Sequence, residues 1–408
     1  MAGPQRIGRG EAAAKCRSRA LGEVYSCNAA QASRLHRFHD THAERQKIPK
    51  TAFATAFVRV MPPKRGPSAE TPSSRLSELM LSRVALRAPA RGLLVRQLST
   101  ASPRTVVALG GNALVRPGEE GTPAQQASRA REAAKNLAAF PRDTELVVTH
   151  GNGPQVGEIL LRSDLTADKF PAIPIDLAVS ATQGQIGVML QHSLAEALKR
   201  PSGTICTTVV VSESDPDFQN PTKYVGSFYD AEQAKAQTAA LGWVMKEDPG
   251  RGWRRVVPSP KPSGIIEVES VRTLVSSGVV VVACGGGGVP AVQAADGSLK
   301  AVEAVVDKDL SSALLARALG ATRFIILTAV DEVMVDYGKD TQRSLRDTGV
   351  SELRQHADAG QFPPGSMGPK VEAVLAFLEG NPGTEVLVTS PEALGDALAG
   401  KCGTWVRS

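Results

Sequence analysis

Cysteine is scarce in this sequence. Cys16, Cys27, Cys206, Cys284 and Cys402 are the only five in 408 residues, and no two form a CxxC pair. That usage argues against a cysteine-held metal site or a disulfide framework and reads as reduced thiols in a non-secretory compartment. Past residue 103 histidine is scarcer still, with only His150, His192 and His356. A serine or cysteine hydrolase needs a histidine base beside its nucleophile, and no such set is evident. No stretch of 18 uncharged apolar residues occurs, so no membrane-crossing helix is expected. Two familiar phosphate motifs are also missing. GDALAGKC at 395–402 has Cys402 where a Walker A loop needs Ser or Thr, and it follows a predicted helix instead of a strand. The glycine run at 285–288 is a poor match to a dinucleotide fingerprint.

Basic residues are nearly absent in excess from most of the chain. Residues 1–100 hold 18 Lys+Arg against 6 Asp+Glu, a net of +12, which leaves 29 against 35, a net of −6, for residues 101–408. The overall charge of +6 therefore belongs to the N-terminal quarter. A basic balance of this origin speaks for a targeting segment and against nucleic-acid binding by the folded part. From Met80 to Ser102 no acidic residue occurs, and Arg83, Arg87, Arg91 and Arg96 recur among leucines and valines. This is the composition of an organelle transit peptide over about residues 80–98, ending near Leu98–Ser99. Residues 1–103 are read as a basic extension, with Met80 or Met61 as alternative translation starts to Met1. The mitochondrial matrix is the expected destination, with plastid or hydrogenosome as alternatives.

What remains is rich in short Val/Ile strands alternating with helices of 10–15 residues. This predicts an α/β fold, a three-layer αβα sandwich on a mainly parallel open sheet, over 104–408. Thr122–Ala139 is predicted as a helix, and TICTTVVV at 204–211 as one strand. Residues 213–262 break the rhythm and hold Phe218, Tyr224, Phe228, Tyr229, Trp243 and Trp253. They are read as a protruding inserted subdomain, a lid, with a small aromatic core of its own.

Three strand ends run into glycine: ALGGNA at 108–113, THGNGPQV at 149–156 and CGGGGVP at 284–290. Glycine lets backbone approach a ligand, and a following helix start aims bare N–H groups at it. Such turns gather at the carboxyl ends of a parallel sheet, so together they point to a phosphate site. Among the lysines, Lys308 stands between Asp307 and Asp309 at a predicted helix start, Lys370 follows Gly365 and Gly368, and Lys223 and Lys261 lie in and at the exit of the insertion. Flanking carboxylates can orient an ammonium group. Phosphoryl transfer needs positioning and charge neutralisation more than a nucleophile-base pair, and an anionic acceptor needs no general base.

Taken together, VVALGGNAL, VVTHGNGPQVG, QGQIGVMLQ, NPTKYVG, GRGWRRVVPSPKP, VACGGGGVP, EAVVDKDLSSALLA, ILTAVDEV and GSMGPKVEA resemble the carbamate kinases of the amino-acid kinase superfamily. The resemblance spans about residues 104–408. It implies ATP + carbamate = ADP + carbamoyl phosphate with Mg²⁺, a homodimer, and ATP formation in arginine catabolism. From the charge distribution and the lack of a long apolar run, no nucleic-acid or membrane partner is expected, and no protein-held metal site is expected either. By the same resemblance Gly110, Gly111 and Asn112 hold the migrating phosphoryl group, and Gly151, Asn152 and Gly153 cradle carbamate, with Gly286 and Gly287 in the same phosphate region. Lys308 bridges the phosphates between Asp307 and Asp309, Lys370 neutralises the nucleotide, and Lys223 reaches in from the lid. Thr328, Asp331, Tyr337 and Met367 line the nucleotide pocket. The sequence departs from the pattern at Thr182, where the family usually has Glu, and at Cys284, where a small residue is usual. The rival readings are an amino-acid kinase for a larger carboxylate and a catalytically dead nucleotide sensor.

Overall fold

The computed structural model describes residues 103–408 apart from 112, 113, 117 and 249. The readings made for residues 1–102, the transit peptide included, fall outside the described residues. Eight strands form the central sheet: β1 (Arg104–Leu109), β2 (Glu145–His150), β3 (Ser202–Thr204), β4 (Val280–Val282), β5 (Arg323–Leu327), β6 (Asp347–Gly349), β7 (Glu385–Thr389) and β8 (Thr404–Arg407). Their order is β6-β8-β7-β5-β1-β2-β4-β3. All neighbours are parallel except β7 and β8.

Alternation of side chains along these strands builds two apolar layers. Val106, Ala108, Val147, Phe324, Ile326, Val386 and Val388 face one layer, with helices α4 (Lys308–Leu319) and α5 (Met367–Leu378) over it. Val107, Leu109, Leu146, Val148, Ile325, Leu327 and Leu387 face the other, under α1 (Pro123–Leu137) and α3 (Ile175–Leu198). Both faces are covered, which is why the strands read as unbroken apolar runs. Helix α1 starts where its chemistry says it should. The Thr122 hydroxyl accepts from the Gln125 N–H at 3.3 Å, and the Gln125 side chain accepts from the Thr122 N–H at 2.9 Å, closing a capping box. Helix α4 stops at Gly320, whose φ of 67° is left-handed.

Two expectations are corrected. TICTTVVV is not one strand. Thr204 ends β3, while Thr208–Val211 joins a second, four-stranded sheet with Pro262–Ile265, Val289–Gln293 and Leu299–Ala301. The break has a cause at Thr207, which is buried. Its N–H donates to Gln183 Oε1 at 2.8 Å, its carbonyl accepts from Gln183 Nε2 at 3.1 Å, and its hydroxyl accepts from the Cys284 N–H at 2.8 Å. Its carbonyl also accepts from the Val289 N–H at 2.9 Å, so the chain is held by Gln183 as it leaves β3 and enters the second sheet.

The insertion does not have an aromatic core. Lys223–Tyr229, Met245–Asp248 and Gly252–Val257 form a separate three-stranded sheet with one helix, Ala231–Leu241. Its buried Val225 and Val257 pack on α3 and on α2 (Gly153–Leu165), against Val156, Leu160 and Val179. None of the six rings is fully buried, and Tyr224, Phe228 and Trp243 serve as platforms for guanidinium groups. Arg254 lies 4.8 Å from the Phe228 centroid and Arg255 4.6 Å from that of Trp243. So small a unit cannot enclose a core, and it borrows one from the main domain.

Candidate active site

Strands β1, β2, β4 and β5 all end at the same edge of the sheet, and the glycine turns meet there. The Gly110 N–H donates to the Leu327 carbonyl at 3.0 Å, and the Gly151 N–H donates to the Leu109 carbonyl at 3.1 Å. A Cβ on Gly151 would sit 3.2 Å from Gly111 N and 3.4 Å from Lys308 Cδ. Two backbone turns and the lysine stem therefore touch only because side chains are missing. Gly286 and Gly287 have φ of 64° and 92°, and a Cβ on either would come within 2.4 Å of Asn152 or of the Val306 carbonyl. Gly153 opens α2. Asn112 lies outside the described residues.

The start of α4 brings the charged groups to this shelf. Asp307 caps the helix by accepting from the Asp309 N–H at 2.9 Å, and its second oxygen accepts from Lys223 Nζ at 3.1 Å. Asp309, with a side chain only 3% exposed, binds Lys308 Nζ through one oxygen, and its other oxygen lies 3.5 Å from Lys370 Nζ. Thus Lys223 from the lid, Lys308 from α4 and Lys370 from α5 converge on two adjacent carboxylates. Burial raises the carboxyl of Asp307, but the charges of Lys223 and Lys308 and the Asp309 N–H outweigh it, and the net shift is downward. Asp307 stays ionised.

His150 is no acid or base here. Burial, together with the nearby Lys308 charge and against its contact with the Gly151 carbonyl, pushes its pKa down to about 4. It fills the space beside Gly285 as a neutral ring. Cys284 holds a left-handed φ of 49° and is buried, and its thiol is pushed up to about 12 by burial.

A cleft of about 460 Å³ opens over this shelf and is lined by Gly110, Gly111, Lys308, Thr328 and Lys370 among others. Met367 begins α5 and packs on the main core. Of the four residues expected to line the nucleotide pocket, Thr328 lines that cleft and Asp331, Tyr337 and Met367 do not, with Tyr337 74% exposed. A second groove of about 770 Å³ runs on the far side of the α5 start, between Lys261, Phe362, Gly365 and Glu372. There Lys261 pairs with Glu372 at 2.6 Å, away from the Asp307–Asp309 cluster. Sequence reasoning missed Arg116 and Arg129. Both line the first cleft, with Arg116 held by Glu132 at 2.9 Å and by Glu392 at 2.7 Å, and Arg129 by Glu119 and Glu132. Isolated arginines carry no spacing signal that a fold has not already supplied.

The geometry is that of a phosphate-handling enzyme at the carboxyl edge of an α/β sheet. The model of the amino acid kinase family matches residues 103–390, and the chain belongs to that family. Within it, the carbamate kinase of Pyrococcus furiosus is 46% identical over 311 residues, 74% of this chain and 98% of that protein. The carbamate kinase of Staphylococcus haemolyticus is 46% identical over 312 residues, 74% of this chain and 99% of that protein. Among solved structures, the carbamate kinase of Giardia lamblia bound to AMP-PNP superposes with a TM-score of 0.72 at 36% identity, covering 76% of this chain and 99% of that one.

Proposed function

We propose that the chain is a carbamate kinase, catalysing ATP + carbamate = ADP + carbamoyl phosphate. The observation that carries this is the convergence of Lys223, Lys308 and Lys370 on Asp307 and Asp309 beside the packed turns of Gly111 and Gly151. The nucleotide phosphates would lie over Gly110 and Gly111, between Lys308 and Lys370. Carbamate would sit at Gly151–Asn152, with Lys223 reaching it from the lid. In phosphoryl transfer the charge spreads over the migrating group's equatorial oxygens, and fixed N–H groups and ammonium groups stabilise it without reorganising. The two aspartates keep the lysines aimed before substrate arrives. Carbamate is already an anion, so the neutral, buried His150 has no proton to take.

Magnesium fits as a passenger of the nucleotide. The nearest carboxylates, Asp307 and Asp309, are engaged by lysines, and the described residues hold no group of three His, Cys, Asp or Glu suited to a metal. Magnesium brought in with the nucleotide would supply further charge neutralisation at the phosphates, beside Lys308 and Lys370.

The larger-carboxylate and dead-sensor readings are less well supported. The relatives described above at 46% identity are carbamate kinases, and all three lysines are present and aimed. The homodimer is part of our reading. Leu161, Leu165, Phe170, Ile173, Leu177 and Val188 expose 40–73% of their surface on α2, α3 and the loop between them, an apolar patch that a second copy would cover. Import into an organelle, the mitochondrial matrix before plastid or hydrogenosome, rests on the acid-free basic stretch from Met80 to Ser102. Operation toward ATP in arginine catabolism is likewise part of the proposal.

The test is ATP formation by the full chain from carbamoyl phosphate and MgADP, followed in a coupled assay. Rapid, magnesium-dependent ATP formation is expected. A folded, ADP-binding protein that makes no ATP from carbamoyl phosphate but uses a larger acyl phosphate would contradict the reading.

A further inference from the structure

Thr182 joins the strand-end shelf from α3. Thr182 is fully buried on α3, 30 residues from Asn152, yet the two side chains meet at the strand-end shelf. The Thr182 hydroxyl donates its one proton to the Val179 carbonyl at 2.7 Å. Its oxygen can then only accept, and its partner 2.8 Å away on Asn152 must be the amide nitrogen Nδ2. Asn152 is thereby locked in one of its two amide orientations. Gly286 packs against one side of the same amide, since a Cβ there would lie 2.2 Å from Nδ2 and 2.7 Å from Oδ1. Asn152 Oδ1 is left without a bond to any described residue. Asn152 itself is 5% exposed and follows Gly151, which touches Gly111 and Lys308.

Resting on the carbamate kinase reading, we propose that Thr182 is a positioning residue that fixes the Asn152 amide so that Oδ1 accepts a hydrogen bond from the substrate's –NH₂ group. An acceptor at this point discriminates chemically. Carbamate and carbamoyl phosphate carry an N–H donor; acetate and acetyl phosphate place a methyl group there, which leaves the acceptor unpaired. The shelf therefore reads the carbamoyl nitrogen, and the lysines read the phosphate.

The test uses the full chain and Thr182→Val, which keeps the shape and removes the hydroxyl, with Thr182→Ser as the variant that retains it. Carbamoyl phosphate consumption with MgADP is followed by phosphorus NMR, with acetyl phosphate as competitor. Thr182→Val should raise KM for carbamoyl phosphate about tenfold, the weight of one lost hydrogen bond. The acetyl phosphate inhibition constant and the KM for ADP should stay as in the wild type, and Thr182→Ser should preserve the preference. Thr182→Ala repeats the measurement without risk of overpacking. Equal losses for both acyl phosphates, or an unchanged preference in Val and Ala variants, would overturn the inference. A wild type that consumes no carbamoyl phosphate would overturn the parent reading instead.

Discussion

The strand-end shelf and the lid are built on opposite principles. On the shelf, position is set by what is missing: Gly151 and Gly286 admit neighbours that a single methyl group would displace. Gly151, Asn152, Gly286, Gly287 and Asp309 are buried there, and the carboxylates that hold the lysines are 3% and 16% exposed. In the lid, position is set by what is added at the surface, with Arg254 and Arg255 stacked on half-exposed rings and few buried residues beneath. One bond among the described ion pairs joins lid and shelf at the chemistry, Lys223 to Asp307. The comparison teaches that a rigid floor can hold the phosphate while a loosely founded cover brings one charge to it.

That contrast can be broken first at Lys308. Lys308→Ala should lower kcat about 10³-fold, with KM for both substrates changed far less, because its charge is used on the migrating phosphoryl group; a mutant with near-normal kcat removes it from the mechanism. The floor should also show itself in stability. The folded pKa of His150, about 4, lies below the ordinary 6.5, so the unfolded chain binds the extra proton. Stability should be full above about pH 6.5 and fall by about 3 kcal/mol as pH drops toward 4. Denaturant melts of wild type and His150→Gln across that window should converge; a parallel decline in both would sink the assignment. Lys223→Ala should raise KM for carbamoyl phosphate about tenfold and leave ADP affinity alone. An effect confined to ADP would place the lid over the wrong substrate. Smallest of all, Arg254→Ala should cost the lid about 1 kcal/mol in hydrogen-exchange protection without altering the shelf.

Much of the shelf was legible because glycine and strand ends leave a direct mark. ALGGNA, THGNGP and CGGGG each pair an apolar run with residues that permit close approach, and the structure brings Gly110, Gly111, Gly151 and Gly286 to one edge. The D-K-D order likewise announced a charged helix start. What stayed hidden depends on tertiary proximity. Thr182 meets Asn152 only because α3 packs beside the end of β2, and Arg116 meets Glu392 across 276 residues. The β-branched run at 204–211 concealed a change of sheet, since propensity does not register that the Thr207 backbone is bonded to Gln183. The aromatics of the insertion misled for a related reason. Composition shows that rings are present, not whether a core exists to enclose them, and here Tyr224, Phe228 and Trp243 stack under arginines instead.

The most direct measurement is ATP formation from carbamoyl phosphate and MgADP by Asp309→Asn beside the wild type, with ADP binding and a thermal melt recorded on the same samples. Asp309 is the carboxylate that pairs with both Lys308 and Lys370, and Lys370 Nζ donates also to the Ser366 carbonyl at 3.3 Å. We predict a fold and an ADP affinity close to wild type with kcat reduced about 100-fold or more. A folded variant that turns over near the wild-type rate would show that the lysines need no carboxylate to aim them, and would contradict the account.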